Sequence, residues 1–171
     1  MKSFILATLL GLLCSVHPAW AEASVEYRLK AAFLYNFISF TEWPAGLGGT
    51  LNLCVYGADS FDEELDKLQG KNVAGRSVAV RRTNSLDPLT NCQIVFITQS
   101  TIGNLPRVLD SLKGKPVLTV ADTPGAARDG VALNMVAEQN KVIFEANLGA
   151  ARSHGLGLSS KLLRLAREVY Q

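Results

Sequence analysis

Two short stretches, QIVFIT at 93–98 and PVLTVAD at 116–122, carry almost unbroken runs of apolar side chains. A strand with one wet face alternates apolar and polar residues, whereas a run without alternation belongs to a strand covered on both faces. Strands of that kind occur in sheets flanked by helices, which restricts the chain to the α/β class. The neighbouring segments fit this frame. LNLCVYG at 51–57 reads as a further short strand, and SVAVRRT at 77–83 alternates like a half-exposed one. VALNMVA (131–137) and KVIFEAN (141–147) are separated only by EQN and read as an antiparallel hairpin.

Between the strands lie helical patterns. The densest is AAFLYNFISFTEWP at 31–44, where Leu29, Phe33, Phe37 and Phe40 recur at three and four residues and supply one core stripe. Leu34, Tyr35 and Ile38 then fall outside it, so these three and Trp43 become candidates for a surface covered by a partner or a second copy. The cluster from Pro44 to Gly49 ends this helix. Ser60, with Glu63 three residues on, reads as a capping box for a helix to about Gln69. Thr101 to Leu112 has helical spacing and Gly114 as its stop. A last helix is expected from about Ser159 to Tyr170, with Leu162, Leu163, Leu165, Ala166 and Val169 on its apolar face. The expected fold is a single α/β domain with a mostly parallel central sheet, an antiparallel C-terminal hairpin and flanking helices.

The first 21 residues stand apart from this pattern. Lys2, the apolar stretch Phe4–Leu13 and Ala19-Trp20-Ala21 read as a secretory signal peptide cleaved after Ala21, leaving one exported domain at 22–171. Its removal takes one of the 17 basic side chains and none of the 15 acidic ones, so the formal charge falls from +2 to +1. That near balance gives no electrostatic footprint for nucleic acid. Export also bears on the cysteines. The two that remain, Cys54 and Cys92, are either a disulfide or two buried thiols, and an even count in an oxidising compartment favours the disulfide.

Catalytic patterns are weak. His154 is the single histidine of 22–171, and the adjacent Ser153 cannot reach it side chain to side chain as a nucleophile must reach its base. No metal or cofactor is expected, and the chain reads as a non-enzyme. Candidate ligand contacts are Asp122, at the carboxyl end of a buried strand, and Ser159 and Ser160 at a helix start. Glu145 is a further candidate; if buried it requires a cation such as Arg152 or Lys161.

Two stretches, YRLKAAFLYNFISFTEWP and KVIFEANLGAARSHGLGLSSKLLRLAREV, together resemble the YfiR-like family of bacterial periplasmic proteins. The resemblance runs from about Glu26 to Val169. It implies an α/β fold and a periplasmic repressor that binds the periplasmic domain of an inner-membrane diguanylate cyclase, holds it inactive and so lowers cyclic di-GMP and biofilm formation. Release is linked in the family to envelope redox state and to sequestration by an outer-membrane lipoprotein. Cys54 and Cys92 match the position of a family disulfide, and a second disulfide found in some members has no counterpart here. Around ADTPGAARDGVALNM the sequence departs from the family pattern, with Ala126 where an aromatic is usual and Asp129 in place of a glycine. The alternative expectation is a periplasmic small-molecule-binding sensor domain serving another receptor.

Overall fold

The computed structural model describes residues 19–138 and 141–171, with side chains from residue 25 onward. The leader expected at 1–21 lies almost wholly outside the described residues. The chain runs α1 (Ala19–Phe40), β1 (Thr41–Glu42), β2 (Thr50–Tyr56), α2 (Glu63–Asp66), β3 (Asn72–Val73), β4 (Arg76–Thr83) and β5 (Ile94–Ile97). It continues through α3 (Leu105–Ser111), β6 (Leu118–Ala121), β7 (Leu133–Glu138) and β8 (Lys141–Asn147). The last elements are α4 (Leu148–Ser153), β9 (Gly157–Leu158), α5 (Ser160–Leu163) and β10 (Glu168–Tyr170).

Eight strands form one sheet in the order β10-β8-β7-β6-β5-β2-β4-β3. The pairs β10–β8, β7–β6, β6–β5, β5–β2 and β2–β4 are parallel, while β7–β8 and β3–β4 are antiparallel. The mostly parallel sheet and the 131–147 hairpin are therefore present as the sequence implies. Strand alternation divides the apolar side chains between two faces. Leu53, Val55, Phe96, Val120, Met135 and Phe144 pack with Leu34, Phe37 and Ile38 of α1. On the opposite face Cys54, Tyr56, Val95, Ile97 and Ala121 pack with Leu105 and Val108 of α3 and with Leu112. Edge-on ring pairs such as Phe37–Phe144, 5.1 Å between centroids, fix α1 on its face.

Three features differ from the sequence reading. The helix from Ser60 to Gln69 contracts to the single turn of α2. Ser60 is exposed and does not cap it; instead Asp59 Oδ1 accepts from the Phe61 N–H at 3.0 Å, and Asp62 adopts φ 46°. That turn drives Phe61 wholly into the core against Phe96. The helix expected to reach Tyr170 stops at Leu163, and β10 follows, because the Arg167 N–H is taken by the Phe144 carbonyl at 2.8 Å. The hairpin is thus not the sheet edge, since β10 covers β8. Finally, β8 is followed directly by a helix not expected from the sequence, α4, capped by Asn147 Oδ1, which accepts from the Ala150 N–H at 2.8 Å.

Candidate functional site

The long helix α1 carries apolar residues at nearly every angle, and packing decides between them. Ala31, Leu34, Phe37 and Ile38 are the buried set, with Leu34, Phe37 and Ile38 fully excluded from solvent. Leu34 and Ile38 were partner-facing candidates, and the structure places both in the domain core. Of the stripe read as core, Phe37 is fully buried, whereas Leu29, Phe33 and Phe40 are half-buried against the core, and Val25, one turn before Leu29, is 42% exposed. Phe33 still touches the core through Phe37 and Phe144. Tyr35 and Trp43 are half-buried. Trp43 Nε1 donates to the Ile38 carbonyl at 3.1 Å, and Lys71 Nζ lies 5.2 Å from the Tyr35 ring centre. A half-open apolar stripe, Val25, Leu29, Phe33 and Phe40, therefore runs along α1 at the rim of the core.

Asp122 sits at the carboxyl end of β6, where the sequence puts it. Its Oδ2 lies 2.7 Å from Lys30 Nζ of α1, and both side chains are buried. Lys30 also reaches Glu26 at 2.6 Å and lies over the Tyr27 ring. Burial pulls the Lys30 ammonium down, but its bonds to Asp122 and Glu26 outweigh that and hold it above its ordinary value. Asp122 Oδ1 and the neighbouring Thr123 Oγ1 are buried without a hydrogen-bond partner. Sequence reasoning missed Lys30, although a single cation inside KAAFLYNF is the available signal for a buried charge.

Glu145 is buried, and its cation is neither Arg152 nor Lys161, which are both exposed. Arg167 Nη2 lies 3.1 Å from Glu145 Oε1, while Asn134 Nδ2 donates to Oε2 at 3.2 Å. Arg167 also binds Glu138. Ser159 Oγ accepts the Leu162 N–H at 3.3 Å as the cap of α5, and Ser160 is exposed. Glu145 pairs in register with Asn134, whose strand neighbour is Ala121 on the α3 face, whereas Asp122 turns to α1. The ligand candidates thus do not converge on one pocket.

Two adjoining shallow clefts, about 470 and 310 Å³, share Ser153 and His154 and include none of Asp122, Glu145, Arg152, Ser159 or Ser160. Ser153 Oγ donates to its own helix at the Ala150 carbonyl, and His154 Nδ1 lies 2.8 Å from the Lys115 carbonyl, so each is committed to backbone. No group of three or more His, Cys, Asp or Glu side chains is arranged to hold a metal among the described residues. Cys54 of β2 and Cys92, just before β5, form a disulfide with Cα atoms 6.0 Å apart on the α3 face.

A family profile described as YfiR/HmsC-like matches residues 27–167, from the middle of α1 to the entry of β10. The chain belongs to the YfiR/HmsC-like family. The match runs from within α1 through α5, so family membership applies to the whole fold and not to one motif. Two solved structures share the architecture. One is the ABC domain in complex with L-Trp from Streptococcus pneumonia, with a TM-score of 0.55 at 12% identity. The other is a conserved domain protein from Vibrio cholerae O1 biovar El Tor, with a TM-score of 0.53 at 7% identity. Each alignment takes in 84% of this chain but 60% of the other, and at such identities the likeness is one of fold.

Proposed function

We propose that this YfiR/HmsC-like protein is a non-enzymatic periplasmic negative regulator that binds the periplasmic domain of an inner-membrane diguanylate cyclase and lowers cyclic di-GMP signalling. The observation that carries this reading is the family match over residues 27–167. The half-open stripe of α1, with Tyr35 and Trp43 beside it, is the surface assigned to the cyclase, in place of Leu34 and Ile38. A regulator of this kind shifts the cyclase only by its difference in affinity for the active and inactive states. Sequestration by an outer-membrane lipoprotein would compete for the same pool of free protein. The test is co-purification with the periplasmic domain of the nearest encoded cyclase, together with cyclic di-GMP levels with and without the gene. Binding and a rise on deletion support the reading; neither binding nor a change overturns it.

A second reading, a small-molecule sensor serving another receptor, is favoured by one feature. The strand order reverses between β2 and β5, and ligands of open α/β sheets sit beyond the carboxyl ends at such a point. There Ser100 Oγ accepts from the Ala58 N–H at 3.1 Å beside Thr98 and Thr101. Saturable heat stabilisation by a metabolite, lost on Ser100→Ala, distinguishes this reading from the first.

A further inference from the structure

Two carboxylates share one cation beneath α1. Lys30 Nζ lies 2.7 Å from Asp122 Oδ2 and 2.6 Å from Glu26 Oε1, and among the described residues it is the single cation paired with either. Two negative charges thus meet one positive charge, with the Lys30 and Asp122 side chains buried, and an unbalanced charge at such a place is costly. Lys30 takes only one oxygen of Asp122. The other, Oδ1, and the hydroxyl oxygen of the next residue, Thr123, are buried and have no hydrogen-bond partner among the described residues. Buried polar atoms of folded proteins are nearly always partnered, so these two adjacent oxygens call for a donor.

The cluster stands at the end of the sheet where α/β folds place ligands. Ile97 of β5 is in register with Ala121 of β6, so the residues that follow, Thr98 and Asp122, leave the sheet side by side at its carboxyl end. Tyr27 of α1 holds its ring centre 4.5 Å from Lys30 Nζ, and Phe61 steadies that ring edge-on at 5.1 Å. An aromatic ring beside one ammonium also suits the flank of a second. The Glu26 side chain is 35% exposed, against 5% for Lys30 and 6% for Asp122, and so marks the side of the cluster that meets water.

We propose that Asp122 Oδ1 and Thr123 Oγ1 form a binding site for the ammonium end of a small primary amine, which enters past Glu26. An ammonium group carries several N–H donors and no acceptor, which matches a carboxylate oxygen and a hydroxyl oxygen that both lack a donor. Its charge brings the cluster to two of each sign. Water would satisfy the two oxygens and leave the charge unbalanced. A hard metal cation wants about six or more oxygen ligands and would share its carboxylate with the Lys30 ammonium, so it fits poorly. The site uses residues other than Ser100 and does not depend on cyclase binding.

The experiment follows thermal unfolding in methylammonium chloride against equal concentrations of tetramethylammonium chloride and sodium chloride, since only the first cation offers N–H donors. The expected result is saturable stabilisation by methylammonium alone. Thr123→Val should weaken that binding about ten-fold, the loss of one hydrogen bond to a charged group, while leaving the Lys30–Asp122 pair in place. Thr123→Ser keeps the hydroxyl and should retain the affinity. Amide NMR spectra over the same titration should show their largest shifts at Tyr27, Asp122 and Thr123. Equal effects of the three salts overturn the proposal, as do an affinity indifferent to Thr123→Val and shifts spread over the exposed carboxylates. If Thr123→Val does not fold, the salt comparison and the spectra of the unaltered protein decide.

Discussion

Lys30 Nζ of α1 and Asp122 Oδ2 at the end of β6 lie 2.7 Å apart, with side chains 5% and 6% exposed, and so bind the N-terminal helix to the centre of the sheet. Removing one partner of a buried pair strands the other charge. Asp122→Ala is expected to destabilise by about 2–4 kcal/mol, with Glu26 softening the loss, and the Lys30→Met/Asp122→Leu double variant recovers most of it. Urea denaturation midpoints check both values.

The same pair sets an alkaline limit. The folded pKa of Lys30 lies above its ordinary value of 10.5, so the pair's stabilisation is complete below that value and is lost as pH rises through the folded pKa. Unfolding measured at roughly pH 10 to 12 should show the unaltered protein losing stability more steeply than the double variant. Parallel curves would remove Lys30 from the account.

Cys54 and Cys92 close a loop across 38 positions of sequence, and both residues are buried. On the chain-entropy model a Cys54→Ala/Cys92→Ala variant loses about 3–4 kcal/mol. The native protein should also resist glutathione until it opens, so reduction followed by thiol labelling will track unfolding and not precede it.

Gly57 has φ 102°, and a Cβ there would collide with Thr98 Oγ1 and Thr101 Cγ2. Gly57→Ala is therefore expected to cost about 3 kcal/mol or more, against less than about 0.5 kcal/mol for Gly48→Ala, which points into open space. Thermal melts of the two variants make the comparison.

The two stripes of α1 predict opposite phenotypes. Leu34→Ala creates a core cavity and costs about 2–5 kcal/mol. Leu29→Ser/Phe33→Ser costs less, about 1–2 kcal/mol, yet abolishes partner capture if the outer stripe meets the cyclase. A double variant that folds and still co-purifies with the cyclase domain would sink that assignment.

Much of this fold is written in local pattern. The unbroken apolar runs at Ile94–Ile97 and Leu118–Ala121 became the central parallel strands, and the 131–147 hairpin formed where its two runs and three-residue gap place it. What failed, failed for want of tertiary information. In α1 several stripes are apolar, and only packing into the cluster built by the sheet decides that Leu34 and Ile38 go inward while Leu29 and Phe40 stay at the rim. At the other end LLRLAREV has good helix formers throughout, but the edge of β8 offers the Arg167 N–H a carbonyl, and strand pairing outweighs propensity. Leu165 shows the conflict: counted as part of a helix face, it lies in solvent. Lys30 and Arg167, the cations that satisfy Asp122 and Glu145, were legible only as charges, because which carboxylate each meets is set by topology.

The small ladder of β1 with β9 joins Thr41 to Leu158 and Glu42 to Gly157, positions more than a hundred residues apart. Phe33 and Phe37 likewise find Phe144 only across that distance. During synthesis the N-terminal helix is therefore complete long before β8, which brings Phe144 to it, exists. Folding of such a chain is dominated by late, non-local closure, and its most apolar element is the first to emerge and the last to be sheltered. A chain interrupted before β8 would lack Phe144 and leave Phe33 and Phe37 of α1 only partly covered, a ready target for holdase chaperones and proteases.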